Sequence, residues 1–156
     1  MAEPVAKPAQ AMRTWTGTIR RLSWNDRALA VQAALLLTVA APLLRIVRLS
    51  RVITILNRRV LPSAPTVAHP ERPVALARLV AMAARHTPLP NTCLHRSLAL
   101  WWLLGREGFR SDLVVGARKD QGGLTAHAWV EHRAAVLNDD PGAVGGYVVF
   151  QRTPHA

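Results

Sequence analysis

The sequence predicts an α+β protein in which helices come first and an antiparallel sheet follows. Three observations carry that prediction. Residues 98–104, LALWWLL, are apolar on every face, which places a helix in the middle of a core. Before Gly108 the chain shows helical periodicity broken by prolines. After it come four short extended stretches, DLVVGAR, LTAHAWVEH, AAVLND and GYVVFQR, separated by glycines, charges and Pro141. A length of 156 residues suits one domain with a proper core and a short helical extension.

In chain order, residues 1–12 mix proline, alanine and charge without periodicity and read as a tail, with order beginning near Trp15. Ser23 followed three residues later by Asp26 is a capping box, so a helix starts there. The apolar run 28–44 has 17 residues, is interrupted by Gln32 and Thr38, and is kinked or ended by Pro42. A membrane span wants about 20 apolar residues, so the run reads as a buried or partner-facing helix. A signal peptide is disfavoured, because 27 residues including Asp26 precede the run and no small-residue cleavage site follows it. In RIVRLSRVITILNRR, Arg45, Arg48 and Arg51 recur every third residue among apolar ones, which predicts one basic amphipathic helix suited to an acidic peptide or anionic lipid. Pro62, Pro65, Pro70 and Pro73 then mark a linker over 62–70, dividing an N-terminal region, 1–61, from a core, 71–156. Residues 71–86 carry an early proline and apolar positions 76, 79, 80 and 83, a helix that packs on the central one.

The central helix begins after Pro88 and Pro90, with Asn91 and Thr92 both acceptable N-caps and Gly105 and Gly108 as stop signals. Cys93, the only cysteine, falls in its first turn. There, unpaired backbone N–H groups and the helix dipole favour a thiolate, a nucleophile. A cysteine in a helix also serves simply as a small hydrophobe, so its chemistry depends on partners elsewhere in the chain.

Composition narrows the classes. A single cysteine permits no internal disulfide and no thiol pair for structural zinc, which points to a reducing compartment, the cytoplasm. The 20 basic residues, all but two of them Arg, outnumber 9 acidic ones, giving +11 and favouring an acidic partner. No DNA- or RNA-binding motif is visible, so a peptide or a membrane surface is preferred over nucleic acid. No phosphate-binding glycine loop appears, Glu107 and Glu131 do not form an acid pair, and neither a cofactor nor a metal is expected.

In the strand AHAWVE, His127, Trp129 and Glu131 share one face, and small alanines flank the imidazole. A hairpin with AAVLND centred on Arg133 sets His127 opposite Asp139, while a turn at His132 and Arg133 sets it opposite Asn138. Asp139 is the favoured partner. Either side chain can orient an imidazole.

With these residues in place, the chain resembles the lasso peptide biosynthesis B2 proteins, transglutaminase-like cysteine peptidases that remove the leader from lasso peptide precursors. The resemblance rests on CLHRSLAL at 93–100, GREGFRSDLVVGAR after it, AHAWVE at 126–131 and LND at 137–139, in that order. It covers about 71–150 firmly and the N-terminal helices loosely. It implies a papain/transglutaminase-like core with Cys93 as nucleophile, His127 as general base and acid, and Asp139 as the orienting carboxylate. It further implies the precursor's leader as substrate, a separate small leader-recognition protein as partner, and a lasso cyclase acting alongside. It assigns nothing to His86, His95 or His132, and Asp140 is the neighbour most easily confused with Asp139. Backbone amides near Cys93, such as that of Leu94, are the expected oxyanion donors, with Asn91 and Trp129 as weaker oxyanion and substrate contacts. Two other readings compete: acyl transfer to an amine, and a non-enzymatic basic protein bound peripherally to membrane.

Overall fold

The structure, a computed structural model, describes residues 23–58, 70–87 and 91–155. The expected tail, the onset of order near Trp15, Pro88, Pro90 and all of the expected linker except Pro70 lie outside them. Helix α1 spans Trp24–Ile46. Its start is the predicted Ser23 cap, in which Ser23 Oγ accepts the Asp26 N–H at 3.1 Å; the Asp26 carboxylate takes the Ser23 hydroxyl at 2.8 Å and not the Ser23 N–H, so the reciprocal half of the box is not formed. Pro42 does not end the helix, which continues to Ile46 and stops where Val47 turns extended. Leu29, Ala30, Ala33 and Leu37 line its buried face, while Val31, Leu35 and Val39 are about half exposed on the other. By length and composition α1 could cross a bilayer, but its inner face is packed into the protein core.

Arg45, Arg48 and Arg51 do not share one helix, as the periodicity predicted. Arg45 closes α1, Arg48 sits in the break, and Arg51 lies in α2, Leu49–Arg58; all three are exposed. The extended backbone at Val47 breaks the regular spacing. Helix α3, Arg72–His86, buries Leu76, Leu79, Val80 and Ala83 as its pattern requires. Arg72 ties three segments together, reaching Asp26 of α1 at 2.7 Å and Glu107 beyond the central helix at 3.2 Å.

The central helix α4, Cys93–Arg106, buries Ser97, Leu98, Ala99, Leu100, Trp101, Leu103 and Leu104 in the same core as α1 and α3. Gly105 does not stop it. The residue lies inside the helix because His155 packs where a Cβ would be: that atom would sit 2.5 Å from the imidazole Cε1. The ring itself stacks on Trp101 at 4.3 Å and bonds the Trp101 carbonyl at 2.6 Å. Gly105→Ala is therefore expected to destabilise by about 1–3 kcal/mol, because overpacking of a stacked ring outweighs the roughly 1 kcal/mol gained in helix propensity. A thermal melt that rises instead of falling contradicts this packing.

Four antiparallel strands follow: β1, Asp112–Asp120; β2, Gly123–His132; β3, Ala135–Val136; and β4, Val148–Pro154, in the order β3-β2-β1-β4. Alternation divides the sheet cleanly. Leu113 and Val130 face the helical core, while Val114 and Trp129 join Val144 in a smaller cluster. The third strand is shorter than AAVLND predicts, since Asp139 and Asp140 bond local backbone amides and so compete with a ladder. Asp140 caps the short helix α5, Pro141–Val144, through a 2.8 Å bond from Gly142 N–H. The β2–β3 turn is Arg133-Ala134, both at positive φ (50° and 64°), and it pairs Glu131 with Val136. Neither predicted register is therefore the observed one.

Candidate active site

The nucleophile candidate is placed by the cap of α4. Thr92 is the N-cap, and Cys93 is the first helical residue, a free and partly exposed thiol. The partner usually supplied by Glu or Gln three residues on is here His95, whose Nδ1 accepts the Thr92 N–H at 3.0 Å and meets the Thr92 hydroxyl at 2.9 Å. Accepting requires an unprotonated Nδ1. Burial, assisted by the positive charge of Arg45, holds the His95 imidazole below its ordinary range and so keeps it neutral. Arg96 N–H is the first to find a helical carbonyl, that of Thr92, and the Thr92 side chain takes the His95 N–H, so the amides of Cys93 and Leu94 are those in the first turn for which helix geometry supplies no partner.

His155 is also held low, by its burial, against the opposing pull of the Trp101 carbonyl and Asp112. Both imidazoles take up a proton at lower pH in the fold than in the unfolded chain, which protonates them below about pH 6.5. The unfolded state then binds more protons, so stability is expected to be full above that pH and to fall as pH drops through it. Denaturation midpoints that are flat between pH 7.5 and 5.5 contradict this.

His127 lies on β2 with its Nε2 2.5 Å from Asp139 Oδ2, both side chains about one quarter exposed. That contact leaves Nδ1 as the nitrogen able to exchange a proton with a thiol. Asp139 reaches the imidazole from the bend after β3 and not from a ladder position, because the strand pairing ends at Val136. Behind His127 stand Tyr147, ring centres 5.3 Å apart, and Trp129, at 6.1 Å. Gly116, paired with His127 across the ladder, makes room for them: a Cβ there would lie 2.9 Å from the Trp129 ring and 3.0 Å from Tyr147. An isolated glycine inside a strand pattern signals such close approach, and DLVVGAR contains one. Tyr147 had no comparable signal.

Three expectations need correction in detail. Asn91 is not the N-cap, and its amide donates to the Ala84 carbonyl of α3 at 3.1 Å instead of facing the first turn of α4. Trp129 is 2% exposed and bonds Glu131 at 2.8 Å, so it backs the imidazole and offers no surface to a substrate. Asn138 does not face His127; it bonds Val130 N–H and Ser97. Leu94 packs partly against the core, leaving its backbone amide as the part available at the helix start. Glu107 and Glu131 are engaged separately, with Arg72 and Arg152. His132 bonds the Arg110 carbonyl at 2.6 Å, away from the site.

The structure thus brings His127 and Asp139 together and sets Cys93 at an open helix start. Among the described residues no hydrogen bond joins the thiol to the imidazole. The two are linked through the framework: Ser97, one helical turn after Cys93, donates to the carbonyl of Ala128, next to His127, at 2.9 Å. A thiol at a helix start and an imidazole held by a carboxylate are the group types that acyl transfer through a thioester uses.

No curated protein and no solved structure gives a significant match to this chain. A family model described as transglutaminase-like superfamily matches residues 34–152, from the middle of α1 to β4. That span contains all three candidate residues and most of the length, and the chain belongs to the transglutaminase-like superfamily.

Proposed function

We propose that the protein is a cysteine peptidase that removes the leader segment from a lasso-type precursor peptide. The observation that carries this reading is the His127–Asp139 pair on a framework bonded to the helix that starts at Cys93. In the reaction, the Cys93 thiolate attacks the scissile carbonyl, and the first-turn amides of α4 receive the oxyanion. His127, protonated and held by Asp139, gives its proton to the leaving amine, whose C–N bond breaks as a thioester remains on Cys93. Water, deprotonated by His127, then attacks the thioester, releasing the leader with a free carboxylate and restoring the thiol. Substrate recognition rests with a separate leader-binding protein, and the released core passes to a cyclase.

Acyl transfer to an amine is the second reading, because a thioester on Cys93 is open to attack by an amine as well as by water. Mass distinguishes the two. Incubation with a precursor and its leader-binding partner is expected to give a leader product carrying a carboxylate; a product carrying the added amine in amide linkage favours transfer instead.

The exposed Arg45, Arg48 and Arg51 around the α1–α2 corner are assigned to attracting the acidic leader complex. Raising salt from about 0.05 to 0.5 M shortens the Debye length from roughly 14 to 4 Å, which is expected to raise KM while leaving kcat little changed. Changing the three arginines to glutamine flattens that dependence. A triple variant that cleaves normally at both salts but no longer binds anionic vesicles assigns the corner to a membrane surface.

A further inference from the structure

One side chain touches every segment that carries a proposed catalytic group. Asn138 Nδ2 donates to Ser97 Oγ at 2.9 Å, and its Oδ1 accepts the Val130 N–H at 2.8 Å. Ser97 Oγ in turn donates to the Ala128 carbonyl at 2.9 Å. Ser97 sits one turn beyond Cys93 on α4, Ala128 and Val130 are on the strand of His127, and Asn138 immediately precedes Asp139.

The direction of each bond is determined. The hydroxyl has one proton, which goes to a carbonyl that can only accept, so its oxygen is left to accept from the amide. The other end of Asn138 must accept, because Val130 offers an N–H. Only a side chain with a donor and an acceptor in one planar group meets both demands; aspartate lacks the donor and leucine lacks both.

The need for this device comes from the short β3. Ala128 and Val130 turn their polar groups away from β1, as their bonds to Ser97, Asn138 and Leu137 show. A longer third strand would satisfy them, but pairing covers only Glu131 and His132. Two side chains take the vacant ladder positions, and Ser97, at 0% exposure, is sealed from water. Removing either leaves buried polar groups unpaired and frees the segments from one another.

We infer that Asn138 and Ser97 are positioning residues, holding the start of α4, the His127 strand and the Asp139 bend at one mutual distance. The kinetic half of this inference rests on the peptidase reading; the geometric half does not. In the wild type, the imidazole proton shared by His127 and Asp139 is expected as a downfield NMR resonance that Asp139→Ala removes. Asn138→Ala is expected to remove it as well, and to lower kcat by about 10–100-fold with KM within about twofold. The double variant with Asp139→Ala is expected to lose less than the product of the two single losses, because Asn138 acts in part through Asp139. Asn138→Asp, which keeps the acceptor for Val130, and Ser97→Ala carry the same test with intermediate losses if Asn138→Ala does not fold. Folded variants that keep the resonance with kcat within about twofold of wild type, or losses that add fully to that of Asp139→Ala, overturn the inference. Loss of the resonance in a protein whose wild type cleaves no precursor upholds the positioning and removes the peptidase reading.

Discussion

Cys93→Ala is expected to abolish precursor cleavage, lowering kcat by about 10⁵-fold or more, the scale on which loss of a covalent nucleophile acts in hydrolases. The thiol is partly exposed at the first residue of α4, and its neighbours on that helix, not the cysteine itself, form the fully buried core. The melting temperature is therefore expected to stay within a few degrees of wild type, which separates chemistry from packing. His127→Ala is expected to act on the same scale, because without an imidazole the leaving amine has no acid and the deacylating water no base. The double variant loses no more than either single change, since neither group works without the other. Turnover by a folded Cys93→Ala protein at more than about a thousandth of the wild-type rate excludes a thioester route.

Asp139→Ala is expected to be the next most damaging change, at about 10²–10⁴-fold in kcat, because in the proposed mechanism Asp139 only orients and charges His127. It bonds the imidazole directly at 2.5 Å, so its loss frees the ring to rotate between Tyr147 and the open side of the sheet. Asp139→Asn retains an acceptor for the ring N–H and is expected to lose less than the alanine change. Equal losses for the two substitutions would mean that the negative charge matters more than the orientation. Comparing KM across the series checks the assignment further, since a residue that only orients the base leaves substrate binding unchanged.

The features legible in the sequence are those that local chemistry decides. The Ser23 cap, the burial of α3 at every third and fourth residue, and the all-apolar 98–104 segment each follow from short-range pattern. What escaped was decided over longer distance or by unusual residue choice. Gly105 looked like a stop because its occupant, His155, is fifty residues away in sequence. His95 gives no sequence signal of a capping partner, because glutamate and glutamine are the residues that usually mark one. The Arg133-Ala134 turn lacks the Asn or Gly that a two-residue turn at positive φ usually carries, so local sequence does not mark the register. Asp139 nevertheless meets His127, by a bend and not by a ladder, because the sequence separation was short enough for either route. The Asn138–Ser97 link, spanning 41 residues, had no local signature.

The most direct test of the central claim is mass spectrometry of the enzyme quenched in acid during turnover of a precursor with its leader-binding partner. A transient adduct equal to the leader acyl group is expected, mapped by digestion to the peptide that contains Cys93 and rising before free leader carboxylate accumulates. His127→Ala is expected to keep the adduct from forming, because without the imidazole the leaving amine has no acid. Free leader that accumulates with no adduct at Cys93 at any time, or an adduct that maps to another residue, would contradict the account.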